Sequence, residues 1–261
     1  MRLADVTRAL EDIAPSAWAE PWDNVGLLVG DAGARVERVL FTIDYTSAVA
    51  TEAEAAKADL VVAYHPPIFA PLKRIAHDGV VARAIRAGIA LYSPHTALDV
   101  AAGGTNDMLG DVVGLASRRP LAPRPPTAPG EAPRGLGRIG ELDAPVDRHA
   151  LVERIKAGLG IERVLVAGPT TGEARRVAVS AGAAGDMFKD ALAAGADVYL
   201  TGEMRHHDAL ACAARGMTVV CALHSNSERK ALRRYAERLS VATAGLFITV
   251  SEADRDPFKF A

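Results

Sequence analysis

The chain has 261 residues, of which 49% are hydrophobic and 24% are charged, as is ordinary for a folded globular protein. Thirty Lys and Arg residues stand against 32 Asp and Glu residues, and these charges are interspersed, so the sequence offers no basic stripe for a nucleic-acid backbone. No apolar run approaches the ~18 residues of a membrane span, and the N-terminal stretch lacks the apolar core of a signal peptide. Cys212 and Cys221 fit no disulfide framework and no C-x-x-C motif. We therefore expect a cytoplasmic protein with two packed thiols, which binds neither a membrane nor nucleic acid.

Strands and helices alternate from a first helix near the N-terminus. In the first part of the chain, strands are expected at 25–30, 36–44, 59–64 and 89–96, and helices at 47–58, 78–88 and 103–114. Later strands are expected at 136–142, 163–168, 175–182, 197–202, 217–223 and 246–251, and later helices at 147–159, 186–195, 205–216 and 226–240. This alternation predicts an α/β protein with mainly parallel sheets, built from two successive α/β units of similar pattern.

A proline-rich stretch separates the two units. Residues 118–135 hold six of the 15 prolines and almost no large apolar side chain. We expect an extended surface connection here.

Polar residues that can carry chemistry follow several predicted strands. Asp44 ends one strand and His65 the next, while His95 and His224 end two others, with Asp99 and Glu228 four residues further on. The carboxyl ends of strands form the binding crevice of open α/β sheets, so these positions predict a site. Imidazole and carboxylate together suit zinc, iron or manganese.

Local sequence features support the two histidine segments. The Pro66-Pro67 pair restricts the backbone behind His65, which holds the imidazole at the strand exit. Ser225 or Asn226 is expected to cap a helix that carries Glu228 in its first turn, so His224 and Glu228 become near neighbours.

Each of these residues also has an ordinary structural interpretation, because a single histidine at a strand end is more often a hydrogen-bonded residue than a ligand.

His77 and His149 are given no role. His206 and His207 are adjacent on a helix, about 100° apart, so at most one of them faces a site. The glycines of SAGAAGD and AAGGTND would offer backbone amides to an anion at a helix N-terminus, but such glycine spacing is common by itself. Trp22 and Tyr45 are expected in the core or at a rim rather than as stacking platforms.

Read together, the separate motifs resemble the NIF3-like family, also called dinuclear metal centre hexameric proteins or GTP cyclohydrolase 1 type 2 homologs. The matching segments are PWDNVGLLVG, YHPPIF, SPHTALDVAAGGTNDML, DVYLTGEMRHHDAL and HSNSERKAL, which span nearly the whole chain in order. The resemblance implies two interlinked α/β domains of similar topology, a homohexamer, and two divalent metal ions per chain, of zinc, iron or manganese. It also implies two domains, of which the first is discontinuous. The first domain consists of 1–120 plus 218–261 and carries most metal ligands, and the second consists of 121–217.

The resemblance also implies a ligand set. The metal ligands carry over to His65, Asp99, His224 and Glu228, with Glu228 as a bridge between the ions. Many bacterial members have two consecutive histidines where this chain has Tyr64 and His65. His95, or the phenolic oxygen of Tyr64, is a candidate replacement for the missing histidine.

Two functions from different classes remain open. A metal-dependent hydrolase would act on a nucleotide or another small molecule, with His95 and His207 as acid or base groups and Glu203 orienting one of them. The alternative is a non-enzymatic ring-shaped protein that binds metal or a partner. A shortage of protein ligands favours the hydrolase, because open coordination positions are typical of catalytic metals.

Overall fold

Two large sheets organise the residues that the computed structural model describes, which are 1–126, 130 and 132–259. In chain order, the elements are α1 (Leu3–Ile13), β1 (Gly26–Val29), β2 (Arg38–Thr42), α2 (Ser47–Ala55), β3 (Leu60–Ala63), α3 (Val80–Ala87), β4 (Ala90–Ser93), α4 (His95–Val100), α5 (Thr105–Val113), β5 (Ser117–Arg119), β6 (Ala122–Arg124), β7 (Arg134–Leu136), β8 (Arg138–Asp147), α6 (Arg148–Leu159), β9 (Leu165–Ala167), β10 (Glu173–Ser180), α7 (Met187–Ala193), β11 (Val198–Thr201), α8 (His206–Ala213), β12 (Thr218–Cys221), α9 (Arg229–Ala242) and β13 (Phe247–Val250). The chain forms two units: unit 1 is Met1–Ala101 with Ala231–Ala261, and unit 2 is Ala102–Lys230.

Unit 1 is built on a five-stranded sheet in the order β1-β4-β3-β2-β13, in which only β1 pairs antiparallel with its neighbour. All four residues of β3 are buried, and alternate side chains enter different clusters. Leu60 and Val62 pack in a cluster with residues of α1 and α9, whereas Val61 and Ala63 pack with residues of α2 and α3. The unbroken apolar run of β3 therefore reflects a strand that is covered on both faces.

Unit 2 contains a six-stranded sheet in the order β5-β8-β10-β11-β12-β9. Its centre, β10-β11-β12, is parallel, and the strands outside it pair antiparallel. Apolar residues of this sheet pack in one cluster with residues of α7 and α8, including Phe188, Tyr199 and Cys212. The predicted α/β class, with parallel strands in each unit, is confirmed. Within the described residues, every helix falls short of the length and apolar character that a membrane span needs.

Two expectations about organisation need correction. The proline-rich stretch is not only a connection, because β5 pairs with β8, and β6 pairs with β7; residues 127–129 and 131 lie outside the described residues. The unit boundaries fall after Ala101 and Lys230 rather than at 120 and 218. The reason is pairing, since β12 is hydrogen-bonded to β11 in the second sheet. His224 and Glu228 therefore belong to unit 2 and not to the first domain.

Candidate functional site

In unit 1, His65 lies two residues after β3, and its backbone N–H donates to the carbonyl of Ile43 at 3.0 Å. Its Nδ1 lies 2.9 Å from Oδ1 of Asp44, which follows the neighbouring strand β2. A carboxylate only accepts hydrogen bonds, so Nδ1 of His65 carries the hydrogen and Nε2 is the lone-pair nitrogen of the neutral ring. Pro66 and Pro67 then restrict the chain that leaves this position.

Tyr64 and Asp99 form a second polar pair in unit 1. The Tyr64 hydroxyl donates to Oδ1 of Asp99 over 2.5 Å, and the side chain of Tyr64 is buried. Ser93 in turn donates its hydroxyl to the Tyr64 carbonyl at 2.8 Å. The phenol is thus committed to orienting Asp99, and its predicted role as a metal ligand stays a prediction.

His95 is held by a buried carboxylate. Its Nδ1 lies 2.8 Å from Oδ1 of Asp23, whose side chain is fully buried. The other oxygen of Asp23 accepts from the backbone N–H and the hydroxyl of Thr96. Burial raises the pKa of Asp23, but hydrogen bonds from His95 and Thr96 and the charge of His95 outweigh it, so that the pKa lies below its ordinary value. His95 begins α4 with φ of 28°, a strained conformation for a residue other than glycine.

In unit 2, residues that follow the neighbouring strands β10, β11 and β12 form a histidine–carboxylate pair like that of His65 and Asp44 in unit 1. His224 follows β12, and its Nδ1 lies 2.7 Å from Oε1 of Glu203, which follows β11.

The Nε2 atom of His224 lies 3.4 Å from Oε1 of Glu228, so the two residues are near neighbours as expected. The expected helix does not carry Glu228 in its first turn, however, because Ser225–Ser227 form a 3-10 helix and α9 begins at Arg229. Glu228 is only 2% exposed. Leu223, just before His224, has φ of 70°, so the backbone that presents the imidazole is strained.

Gly182, at the exit of β10, leaves room for these donor atoms. A Cβ added there would lie 2.8 Å from Oε1 of Glu228 and 3.2 Å from Nε2 of His224. The Gly182 N–H donates to Oγ of Ser227, and that hydroxyl donates to the His224 carbonyl. The backbone of this loop is thereby fixed beside an imidazole nitrogen and a carboxylate oxygen.

The remaining predicted residues are less closely tied to these pairs. His207 is exposed in the first turn of α8, with its ring 5.3 Å from that of His206. Glu203 was expected to orient His95 or His207, but the residue that it binds is His224. Sequence reasoning gave no role to Asp23 and noted Asp44 only as a strand exit. Their partners lie far along the chain, so no local spacing could have paired them.

The donor chemistry fits a metal ion. His65, His224 and Glu228 are candidate metal-binding residues, because each offers an imidazole nitrogen or a carboxylate oxygen. Histidines that bind metal usually donate their second ring N–H to a carboxylate or carbonyl, which fixes the tautomer and raises basicity. Asp44 and Glu203 occupy that role at His65 and His224.

Comparison with known proteins shows the family of this chain. The profile of the Duf34/NIF3 (NGG1p interacting factor 3) family matches residues 1–257. The chain belongs to the NIF3 family. NIF3-like protein 1 of Drosophila melanogaster is 38% identical in an alignment of 264 positions that covers 98% of this chain and 88% of that protein. A Clostridium perfringens protein named GTP cyclohydrolase 1 type 2 homolog is 31% identical, with both chains covered to 100%.

Solved structures show the same NIF3 fold. A hypothetical protein of Staphylococcus aureus superposes with a TM-score of 0.89 at 26% identity, over 100% of this chain and 99% of that chain. A Bacillus cereus protein related to NIF3 reaches the same TM-score at 23% identity, which shows the fold alone. The predicted family and fold are both confirmed for this NIF3 chain.

Proposed function

We propose that this NIF3-family chain binds two divalent metal ions and acts as a metal-dependent hydrolase on a nucleotide or another small molecule. His65, Asp99, His224 and Glu228 supply the ligands, with Glu228 as the bridge. The ions are zinc, iron or manganese, which accept this mixture of imidazole and carboxylate donors.

One observation carries this proposal: both candidate imidazoles are backed by a carboxylate. Asp44 accepts from Nδ1 of His65 and Glu203 accepts from Nδ1 of His224, at 2.9 and 2.7 Å. In each ring the lone pair is therefore at Nε2, the nitrogen that in His224 lies next to Glu228. Carboxylate backing at both strand exits is the arrangement that metal-binding histidines usually have, because it fixes the tautomer and orients the ring.

A bound divalent ion would lower the pKa of water and polarise a substrate oxygen. This chain's own residues supply the rest. Tyr64 holds the Asp99 carboxylate in one orientation. Asp23 holds His95 in the tautomer with hydrogen on Nδ1, so Nε2 of His95 can accept a proton and return it. His207 remains the second proposed acid or base group.

The small-molecule class is proposed from the family. The Clostridium relative is named a GTP cyclohydrolase 1 type 2 homolog, which makes nucleotides the first compounds to test. We also propose a homohexamer, which light scattering on the purified protein tests directly.

The experiment is metal analysis of the purified chain beside the His224→Ala, Glu228→Ala double variant. His149→Ala is the matched control, because His149 is exposed and lies outside the proposed ligands. We expect close to two metal equivalents per chain in the unmodified protein and in the control, and a loss in the double variant. Metal that survives the double substitution would contradict the ligand assignment. Metal bound without turnover of any nucleotide or phosphate ester would leave the non-enzymatic alternative.

A further inference from the structure

Two exposed aromatic side chains stand beside His95 in unit 1. Trp22, expected from the sequence in the core or at a rim rather than as a stacking platform, is 60% exposed, and Phe69 is 55% exposed, although both are large and apolar. Their ring centroids are 6.0 Å apart and the ring planes are inclined at 56°, so neither ring covers the face of the other. Each ring also contacts His95 edge-on, at 6.2 Å for Trp22 and 6.4 Å for Phe69. Exposed apolar surface of this kind indicates a binding surface.

The loops that carry these rings are fixed to each other. The side-chain amide of Asn24 donates to the Ile68 carbonyl at 2.6 Å, which joins the residue after the Trp22–Asp23 pair to the residue before Phe69. The backbone N–H of Asn24 donates to Asp23 at 2.8 Å, and Asp23 also holds His95. The two loops that carry the rings are therefore held together before a ligand binds, which lowers the entropic cost of binding.

The aromatic pair is continuous with a candidate metal ligand. His95 contacts both Trp22 and His65, with its ring centroid 5.4 Å from that of His65. A ligand ring that lies against Trp22 or Phe69 is thus one imidazole away from His65.

We propose that Trp22 and Phe69 form a stacking site for a planar heteroaromatic ring in the small molecule on which the metal centre acts. This inference rests on the proposed function and extends it to a substrate class. Stacking suits these residues, because any heteroaromatic ring presents a π-face to an exposed indole or phenyl face. Two rings whose centroids are 6.0 Å apart offer an apolar surface about the size of one ligand ring. A stable protein partner would need a much larger surface, roughly 800 Å² on each side.

The test uses the intrinsic fluorescence of the full chain. The protein has two tryptophans, and Trp18 is half-buried against the core, so Trp18→Phe leaves Trp22 as the only indole reporter. The probes are guanosine, which has a planar ring and no phosphate, and ribose 5-phosphate, which has a phosphate and no aromatic ring. We expect guanosine to change the Trp22 emission saturably and ribose 5-phosphate to leave it unchanged. Titrations with and without EDTA separate this result from the metal proposal.

Calorimetric titration of further variants completes the test. Phe69→Leu and Trp22→Leu keep apolar bulk but remove a ring, and we expect guanosine to bind about tenfold or more weakly to each. Trp22→Phe keeps a ring and should bind within a few-fold of the unmodified chain. Leu72→Ala is the control, because Leu72 is 48% exposed and lies outside the ring cluster.

Two results would overturn the stacking site. One is unchanged guanosine affinity in both leucine variants. The other is a Trp22 emission that follows protein concentration rather than guanosine, which would make a second copy of the chain the occupant. If the purified, unmodified chain carries no metal but binds guanosine, the metal proposal alone is refuted. If it carries metal but does not bind guanosine, the stacking site alone is refuted.

Discussion

Gly182 provides the sharpest test of how the unit 2 donors are arranged. We predict that Gly182→Ala lowers both the stability of the chain and its metal affinity, for two separable reasons. Gly182 has φ of +61°, where an L-residue costs about 1–2 kcal/mol relative to its preferred conformations. The new methyl group would also lie 2.8 Å from Oε1 of Glu228, closer than carbon and oxygen approach in folded proteins. Because Glu228 is buried, its carboxylate cannot turn into solvent to relieve this contact.

A matched control separates the two effects. Gly160 also has a left-handed backbone, with φ of +70°, but a Cβ added there would meet nothing within 4 Å. Gly160→Ala should therefore lose about 1–2 kcal/mol of unfolding free energy from the backbone alone. Its metal affinity should stay unchanged, whereas that of Gly182→Ala should fall about tenfold to a hundredfold, as when the support of a ligand is disturbed.

Both quantities can be measured on the same protein preparations. Urea unfolding in EDTA gives the free energy of unfolding without metal, and competition with a fluorescent chelator gives the metal affinity. If Gly182→Ala binds metal as tightly as Gly160→Ala, then the space beside Glu228 and His224 has no role in metal binding, and the reasoning from Gly182 is refuted.

Three further predictions follow from particular contacts. Asp44→Asn and Glu203→Gln should each weaken metal binding about tenfold to a hundredfold in chelator competition, because each removes the carboxylate behind a histidine. Asp31→Asn is the control and should leave metal binding unchanged, because the Asp31 carboxylate accepts only from Gly33 among the contacts described, within its own exposed loop. Asp254→Ala should lower the urea-unfolding free energy by about 1–3 kcal/mol, because Asp254 accepts from the buried N–H of Ile43 at 2.8 Å; an unchanged unfolding midpoint would contradict this. Burial raises the pKa of the Cys221 thiol to about 11 and also raises that of Cys212, so Ellman's reagent near pH 8 should label both only after unfolding, with reactivity growing as the pH rises towards the pKa.

Secondary structure was predicted best from the sequence where a strand is covered by packed side chains on both faces. Leu60, Val61 and Val62 form an unbroken apolar run, which is typical of a strand covered on both faces, and the strand forms there. β6 was missed because Pro123 stands within it, and proline is confined to strand edges and bulges. Its partner is β7 in a two-stranded sheet, so the missing N–H is tolerated.

Sequence reasoning about the candidate site succeeded for neighbours along the chain and failed for distant partners. His224 and Glu228 were paired by their spacing of four residues, and the structure places them 3.4 Å apart. His95 has Asp99 at the same spacing, yet it binds Asp23, which is 72 residues away. His95 and Asp99 share one turn of α4 without pairing, whereas His224 and Glu228 approach through a short 3-10 helix, Ser225–Ser227, so the spacing of four residues does not decide the partner. Strand exits become neighbours through sheet pairing that the local sequence does not record.

The two units repeat one backbone device, which indicates an internal structural duplication. Asp59 precedes β3, and its carboxylate accepts from the N–H groups of Glu37 and Arg38 at 2.8 and 2.9 Å. Asp197 precedes β11, and it accepts from Arg175 and Arg176 at the same two distances. The same offset in sequence relates Asp59 to Asp197 and Arg38 to Arg176.

That offset also relates His65 to Glu203, so the duplication bears on the site. His65 is bound by a carboxylate 21 residues before it, and Glu203 binds an imidazole 21 residues after it. Equivalent strand exits therefore carry a histidine in unit 1 and a carboxylate in unit 2, and each forms the same kind of pair with the exit of a neighbouring strand. A duplicated fold constrains the positions of the exits but not the residues that occupy them. Both units thus present a histidine–carboxylate pair at neighbouring strand exits although the residues are exchanged, and such a pair is the arrangement that a metal ligand with a backing carboxylate has.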